Sequence, residues 1–292
     1  MKSPRPSLAG GLGLLALFAL PPLNAQEAET SAAALPPEEK EMHKISGVFD
    51  TDLPKTERKG SIRFILHPHL GDFHRRSYVR LPFGIRWGVN DHLAFSAQVG
   101  SVLFGAKYAF VKWLKPTYDL STGINVRLPV DHPPIDMTDG HNHYTPYLVI
   151  GRKSRRIADL TYFVNGTVDL MDQSSVPGNF RKNDMHSSSM ILGTGFVLDR
   201  YPYHYTLEVG YQTTALIGRD SNQLVFVKPG FAWDLPRRFT FNSKGRWLVG
   251  LSMKFAQGPD GFRLDTSGKI RGEFSLRRWM NDRRNRSSTA RP

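Results

Sequence analysis

The eleven residues Tyr118-Asp-Leu-Ser-Thr-Gly-Ile-Asn-Val-Arg-Leu128 decide the fold. Tyr118, Leu120, Ile124, Val126 and Leu128 share one parity; Asp119, Ser121, Gly123, Asn125 and Arg127 share the other. Successive side chains of a strand point to opposite faces, so this stretch has one apolar and one polar side. A water-soluble barrel would turn the apolar side inward. Here the polar side carries charge, amide and glycine, while the apolar side is large and aromatic. That pattern belongs to a barrel with lipid outside and water within.

The rhythm repeats at 61–67, 78–88, 92–99, 103–112, 118–128, 144–152, 159–169, 186–198, 203–213, 224–233, 246–255 and 270–279. Twelve is even, as single-chain bacterial barrels require. The expected fold class is therefore all-β, a transmembrane antiparallel up-and-down barrel of about 12 strands within residues 60–279. Tight turns are expected at 89–91, 114–116, 153–156 and 200–202. Longer links are expected at 129–143, 170–185, 214–223 and 256–269, with 234–245 long on the otherwise short side.

Residues 1–25 read as a cleavable export signal. Lys2 and Arg5 give a basic start, Leu8 to Leu20 an apolar run of 13 residues, and Leu23-Asn24-Ala25 a cut before Gln26. The run is too short to span a bilayer, which takes roughly 20 residues. Residues 26–59 show no sustained period and read as a mobile periplasmic leader, or a plug in the barrel mouth. Residues 280–292 form a basic, disordered tail. The chain has no cysteine, which removes disulfide and thiol chemistry. Its mean hydropathy of −0.37 looks soluble, but half of each barrel strand faces water. The expected location is the cell outer membrane of a Gram-negative bacterium. The expected partners are outer-membrane lipid, the barrel-insertion machinery and a small-molecule solute.

The formal charge of +13 falls to +11 without Lys2 and Arg5, and export removes nucleic acid as the basic chain's partner. Strand parity places Arg63, Arg80, Arg86, Lys107, Arg127, Lys228, Arg246, Lys254, Arg271 and Arg277 inside. Against them stand Asp119, Asp159, Asp169, Glu208 and Glu273, an excess of five cations. A narrow basic tube favours anionic solutes. The same charges could instead pair across neighbouring strands and fill a non-conducting structural barrel. Inner glycines (84, 88, 105, 123, 193, 195, 210, 230, 250) point to close packing by a plug or to tight strand curvature.

Two other constellations are weighed. His186 and Ser188 share the lipid-side parity, the arrangement of base and nucleophile in an outer-membrane lipid A deacylase. His141-x-His143 with Asp136 and Asp139 has metal-ligand residue types but no fourth ligand fixed by spacing, and reads as a solvated loop. His67, His69 and His74 read as loop polarity. No cofactor, metal or catalytic residue is assigned.

The stretch Arg80-Leu-Pro-Phe-Gly-Ile-Arg-Trp-Gly-Val-Asn-Asp-His-Leu-Ala-Phe95, with Gly105-Ala-Lys-Tyr108 and Val126-Arg-Leu-Pro129, resembles a known family. It is similar to the outer-membrane proteins of the meta-pathway of phenol degradation family. Gly88 to Leu93 follows that family's turn, and residues 105–108 its Gly-Ala-Lys-Tyr strand. The chain departs from it at Gly100 to Phe104 and at Pro129-Val-Asp131. The resemblance implies a barrel that passes small, often aromatic or hydrophobic, compounds inward. Its motifs lie in barrel turns, so it carries over no binding residue. The function expected is an outer-membrane channel for passive uptake of small solutes, not an enzyme. A lipid-modifying enzyme using His186 and Ser188 is the alternative, and a structural barrel the third reading.

Overall fold

The computed structural model describes residues 49, 51–70, 79–99, 102–110, 118–128, 142–172, 188–215, 223–236, 239–240, 245–259 and 261–275. All of them belong to one compact unit, His43–Pro292. The strands are β1 (Ser61–Leu66), β2 (His69–Leu70), β3 (Val79–Arg80), β4 (Phe83–Gly88), β5 (Leu93–Val99), β6 (Leu103–Phe110) and β7 (Tyr118–Arg127). They continue with β8 (Asn142–Lys153), β9 (Leu160–Asp172), β10 (Ser189–Arg200), β11 (Tyr203–Thr213), β12 (Gln223–Asp234), β13 (Arg246–Gly258) and β14 (Gly261–Ser275).

β1 pairs antiparallel with β4, each strand from β4 to β13 pairs antiparallel with its successor, and β14 returns to β1, closing a twelve-strand ring. The short β2 and β3 prolong it. β2 pairs with β14 in the register β1 uses, since Ser61↔Ser275 and Leu70↔Thr266 lie on one ladder. β3 likewise extends β4 along the β1 ladder. The breaks fall at Pro68 and Pro82, which have no N–H to donate. Their carbonyls still accept, from Gly268 (2.8 Å) and His67 (3.0 Å). Closure leaves no strand edge, the condition for a sheet to sit in hydrocarbon.

Parity places the outer face as the alternation predicts. Phe83, Ile85 and Trp87, then Phe95, Phe104, Leu148, Val164, Leu192 and Leu251, are all exposed. In water so large an apolar surface would drive association; against lipid it is the favourable face. One end of the ring carries the turns 89–92, 154–159 and 201–202, and there β6 and β12 end and β7 and β13 begin. Aromatics gather there. Tyr203 stacks on Phe231 at 5.8 Å, Trp233 meets Phe239 at 5.9 Å, and Trp247 meets Phe274 at 5.8 Å. Such a belt marks a membrane–water interface.

The last strand differs from expectation. Residues 256–269 are not a long link: Gly258 pairs with Gly261 across a tight turn, and β14 spans Gly261–Ser275 rather than 270–279. Gly261 takes φ 94°, a conformation that favours glycine. Gly-Pro-Asp-Gly at 258–261 marks a loop locally, and the outward positions Thr266 and Gly268 interrupt the apolar stripe. Pairing with both β13 and β1 overrides that weak local signal. Residues 276–279 lie outside the described residues.

Candidate functional site

The interior is filled by chain that precedes the first strand. Thr51-Asp-Leu-Pro-Lys-Thr-Glu-Arg-Lys59 has no alternation, so it cannot join the sheet with one face to lipid. It lies inside the ring instead. Phe49 and Leu53, 5% and 4% exposed, form one buried cluster with Tyr147, Val149, Phe163, Val197, Ala232 and Leu248 from the inner faces of β8, β9, β10, β12 and β13. Several inner glycines are explained here. A Cβ on Gly88 would stand 2.1 Å from the Arg58 carbonyl, and one on Gly230 or Gly250 would stand 2.6 or 2.8 Å from the Phe49 ring. Gly193, Gly195 and Gly210 instead make room for Asn165, Phe163 and Phe226 of the wall.

The polar contacts gather beside this cluster. Arg63 on β1 holds Glu57 at 2.5 Å through Nη1 and Glu273 at 2.9 Å through Nη2. Arg86 on β4 pairs with Asp52 and lies 3.9 Å from Glu57. Lys107 on β6 donates its ammonium to the backbone carbonyls of Leu53 and Lys55, the latter at 2.8 Å. Tyr147 donates to Asp52 at 3.3 Å, and Thr51 donates to Glu208. Lys228 and Lys269 reach over the Phe49 ring at 5.9 and 5.8 Å, a cation–π arrangement.

Burial pushes the Asp52 carboxyl up, but Arg86 and then Lys107 outweigh it and hold the group well below the usual carboxylate range. Glu57 is also lowered: burial raises it, and Arg63, Arg86 and Lys107 bring it down. A folded-state value below the free value means that docking of the segment is stabilised above the ordinary carboxylate range and weakened as pH falls through it. The segment is thus expected to stay docked from neutral pH to about pH 5 and to loosen below about pH 4. Hydrogen–deuterium exchange of peptides covering 51–59 measures this; loosening between pH 8 and 6 would contradict it.

Two further polar groups line the wall. His204 is fully buried between Asp199 (Nδ1, 2.7 Å) and Asp234 (Nε2, 2.9 Å), and Arg246 grips Asp234 through Nε and Nη2, each at 2.7 Å. Nearer the other end, His143 meets Asp169 at 3.0 Å, and Thr145 donates to Asp169 at 3.0 Å.

Of the residues that sequence parity placed inside, the structure brings Arg63, Arg86, Lys107 and Glu208 together on the segment. Lys228 is buried at its far side, and Lys254 stands 4.4 Å over the Phe226 ring. Asp119 and Arg127 are half-buried at opposite ends of β7, and Arg80 falls in β3. Asp159 departs from expectation: it is exposed in the turn before β9 with φ 62°, an Asp-tolerant turn conformation rather than an inner strand position. His143 is also corrected, from a solvated loop to the inner face of β8, because the strand begins at Asn142. Likewise His69 lies in β2, its ring 4.2 Å from that of His67. His74, Asp136, Asp139, His141, His186 and Arg277 lie outside the described residues. Ser188 accepts the Met171 amide at 3.1 Å. Asp52 and Glu57 were not legible as site residues, since nothing periodic aims them anywhere; Lys269 was hidden by the misread link.

No family model and no curated protein matches the chain. Solved structures of similar fold include the KdgM porin, 11% identical with a TM-score of 0.44, covering 73% of this chain and 99% of that one. The CymD monoaromatic hydrocarbon channel is 10% identical with a TM-score of 0.41, covering 75% of this chain and 89% of its own. An outer membrane channel from Pseudomonas putida F1 is 7% identical with a TM-score of 0.46, covering 75% and 97%. At such identities and TM-scores the likeness transfers no residue's role.

Proposed function

We propose that this chain is an outer-membrane channel for passive passage of small solutes, its lumen occupied by Phe49 and residues 51–59. The observation that carries the reading is the composition of the lumen. Arg63 and Arg86 are direct Cα partners on β1 and β4, and like charges so opposed destabilise a sheet. A purely structural wall would satisfy such a pair from its own strands. Here much of the compensation comes from a separate, non-strand segment.

The export signal at 1–25, placement in the outer membrane, and lipid and the insertion machinery as partners belong to the same proposal. The basic inner wall favours anionic solutes, and the resemblance over residues 80–129 extends the reading to small aromatic or hydrophobic compounds. Reversal potentials of the refolded protein in a salt gradient test it. The expected result is anion preference that weakens at high salt, where the Debye length of about 8–10 Å shrinks. Cation preference would overturn the assignment of the inner face.

A further inference from the structure

Resting on the channel reading above, we propose that Asp52 and Glu57 stand in for a solute: Arg63, Arg86 and Lys107 form a lumen site for small carboxylates, which the segment occupies until such a solute displaces it.

Three features of the site point this way. First, the cations sit on β1, β4 and β6, facing one side of the lumen, and the segment brings carboxylates or carbonyl oxygens to each of them. Both ion pairs of Arg86 seen among the described residues come from the segment. The wall's own Glu273 engages Nη2 of Arg63, while Nη1 is directed at Glu57. A guanidinium fork of this kind matches a carboxylate in geometry as well as charge.

Second, two of the three cations are desolvated, while Arg86 is half-buried. Arg63 and Lys107 are 4% and 5% exposed, so losing a counter-anion without replacement is costly. An incoming carboxylate replaces the oxygens that the segment withdraws. Lys107 is held by peptide carbonyls, acceptors that a carboxylate oxygen substitutes with added charge.

Third, the neighbouring Arg271 on β14 is almost wholly buried, and its Nη2 has no hydrogen-bond partner among the described residues. Its Cα partner is Ile65, two residues from Arg63 on the same inner face. The segment therefore does not saturate the site, and a donor remains for a further oxygen.

Calorimetric titration of the refolded full-length chain in detergent, with succinate as probe and succinamide as its neutral counterpart, tests the proposal. The variant D52N/E57Q keeps the segment but removes both carboxylates. Succinate is expected to bind it roughly tenfold or more tightly than wild type, because the competent state no longer has to be freed first. Adding Arg86→Gln should return binding to the wild-type level or below, and succinamide should not bind. Equal succinate binding by wild type and D52N/E57Q, or binding indifferent to Arg86→Gln, would overturn the site. Should the double variant not refold, Asp52→Asn alone, which leaves Glu57 on Arg63, carries the same comparison with a several-fold effect. Titration needs no ion flow, so the two readings separate. Binding in a protein that never conducts keeps the site and removes the channel; conductance without binding does the reverse.

Discussion

Deleting residues 26–57 is expected to turn a weakly conducting barrel into a strongly conducting one. In the full-length chain Phe49 and Leu53 close an apolar cluster across the inner faces of five strands, and a dry constriction of this kind resists water and ions alike. Deletion removes both side chains and the two acids at Asp52 and Glu57 but leaves the ring's hydrogen-bond ladders untouched. Single-channel conductance in planar bilayers should rise on the order of tenfold, with stronger anion preference than the parent, since Arg63 and Arg86 lose their segment carboxylates. Unchanged conductance would show that Phe49 and residues 51–59 do not limit the path. No conductance from a properly refolded deletion variant would favour a structural barrel.

The second large effect concerns the outer face. Val209 is 39% exposed at the middle of β11, between Thr194 and Val227. Arginine there should cost about 2–4 kcal/mol at the bilayer midplane, read from denaturant unfolding in lipid vesicles. One residue away, parity alone suggests that arginine at Thr206 or Glu208 is tolerated, as on any wet lumen wall. The structure corrects this. Both side chains are buried, Glu208 accepts from Thr51, and its Cα partner is Lys228. Glu208→Arg would oppose Lys228 and push against the segment. The expected outcome is a ring that still refolds, with residues 51–59 losing exchange protection. Equal loss of ring stability for Val209→Arg and Glu208→Arg would show that the two faces are not distinct.

The contrast between Val209 and Glu208 shows how far local pattern reaches. Which side chain points outward follows from the period of two, a property of a single strand, so the outward residues of the strands recognised in the sequence could be read without knowing their neighbours. The even strand count followed from the same pattern. β14 escaped in part because Thr266 and Gly268 dilute its outer stripe, and only two paired neighbours reveal it.

The filling of the lumen lay beyond the sequence for a different reason. Asp52 meets Arg86 across 34 residues, Thr51 meets Glu208 across 157, and Lys269 meets the Phe49 carbonyl across 220. None of these contacts imposes a period on residues 51–59, which read only as a leader or a plug, with no residue assigned a partner. The chain by itself determined the barrel, its two faces and its basic interior, because each is set by alternation within strands. Only closure of the ring decided which inner cations meet and what neutralises them: β1 and β14 are distant in sequence and adjacent only in the closed barrel, and the space that holds the segment exists only inside that closed wall.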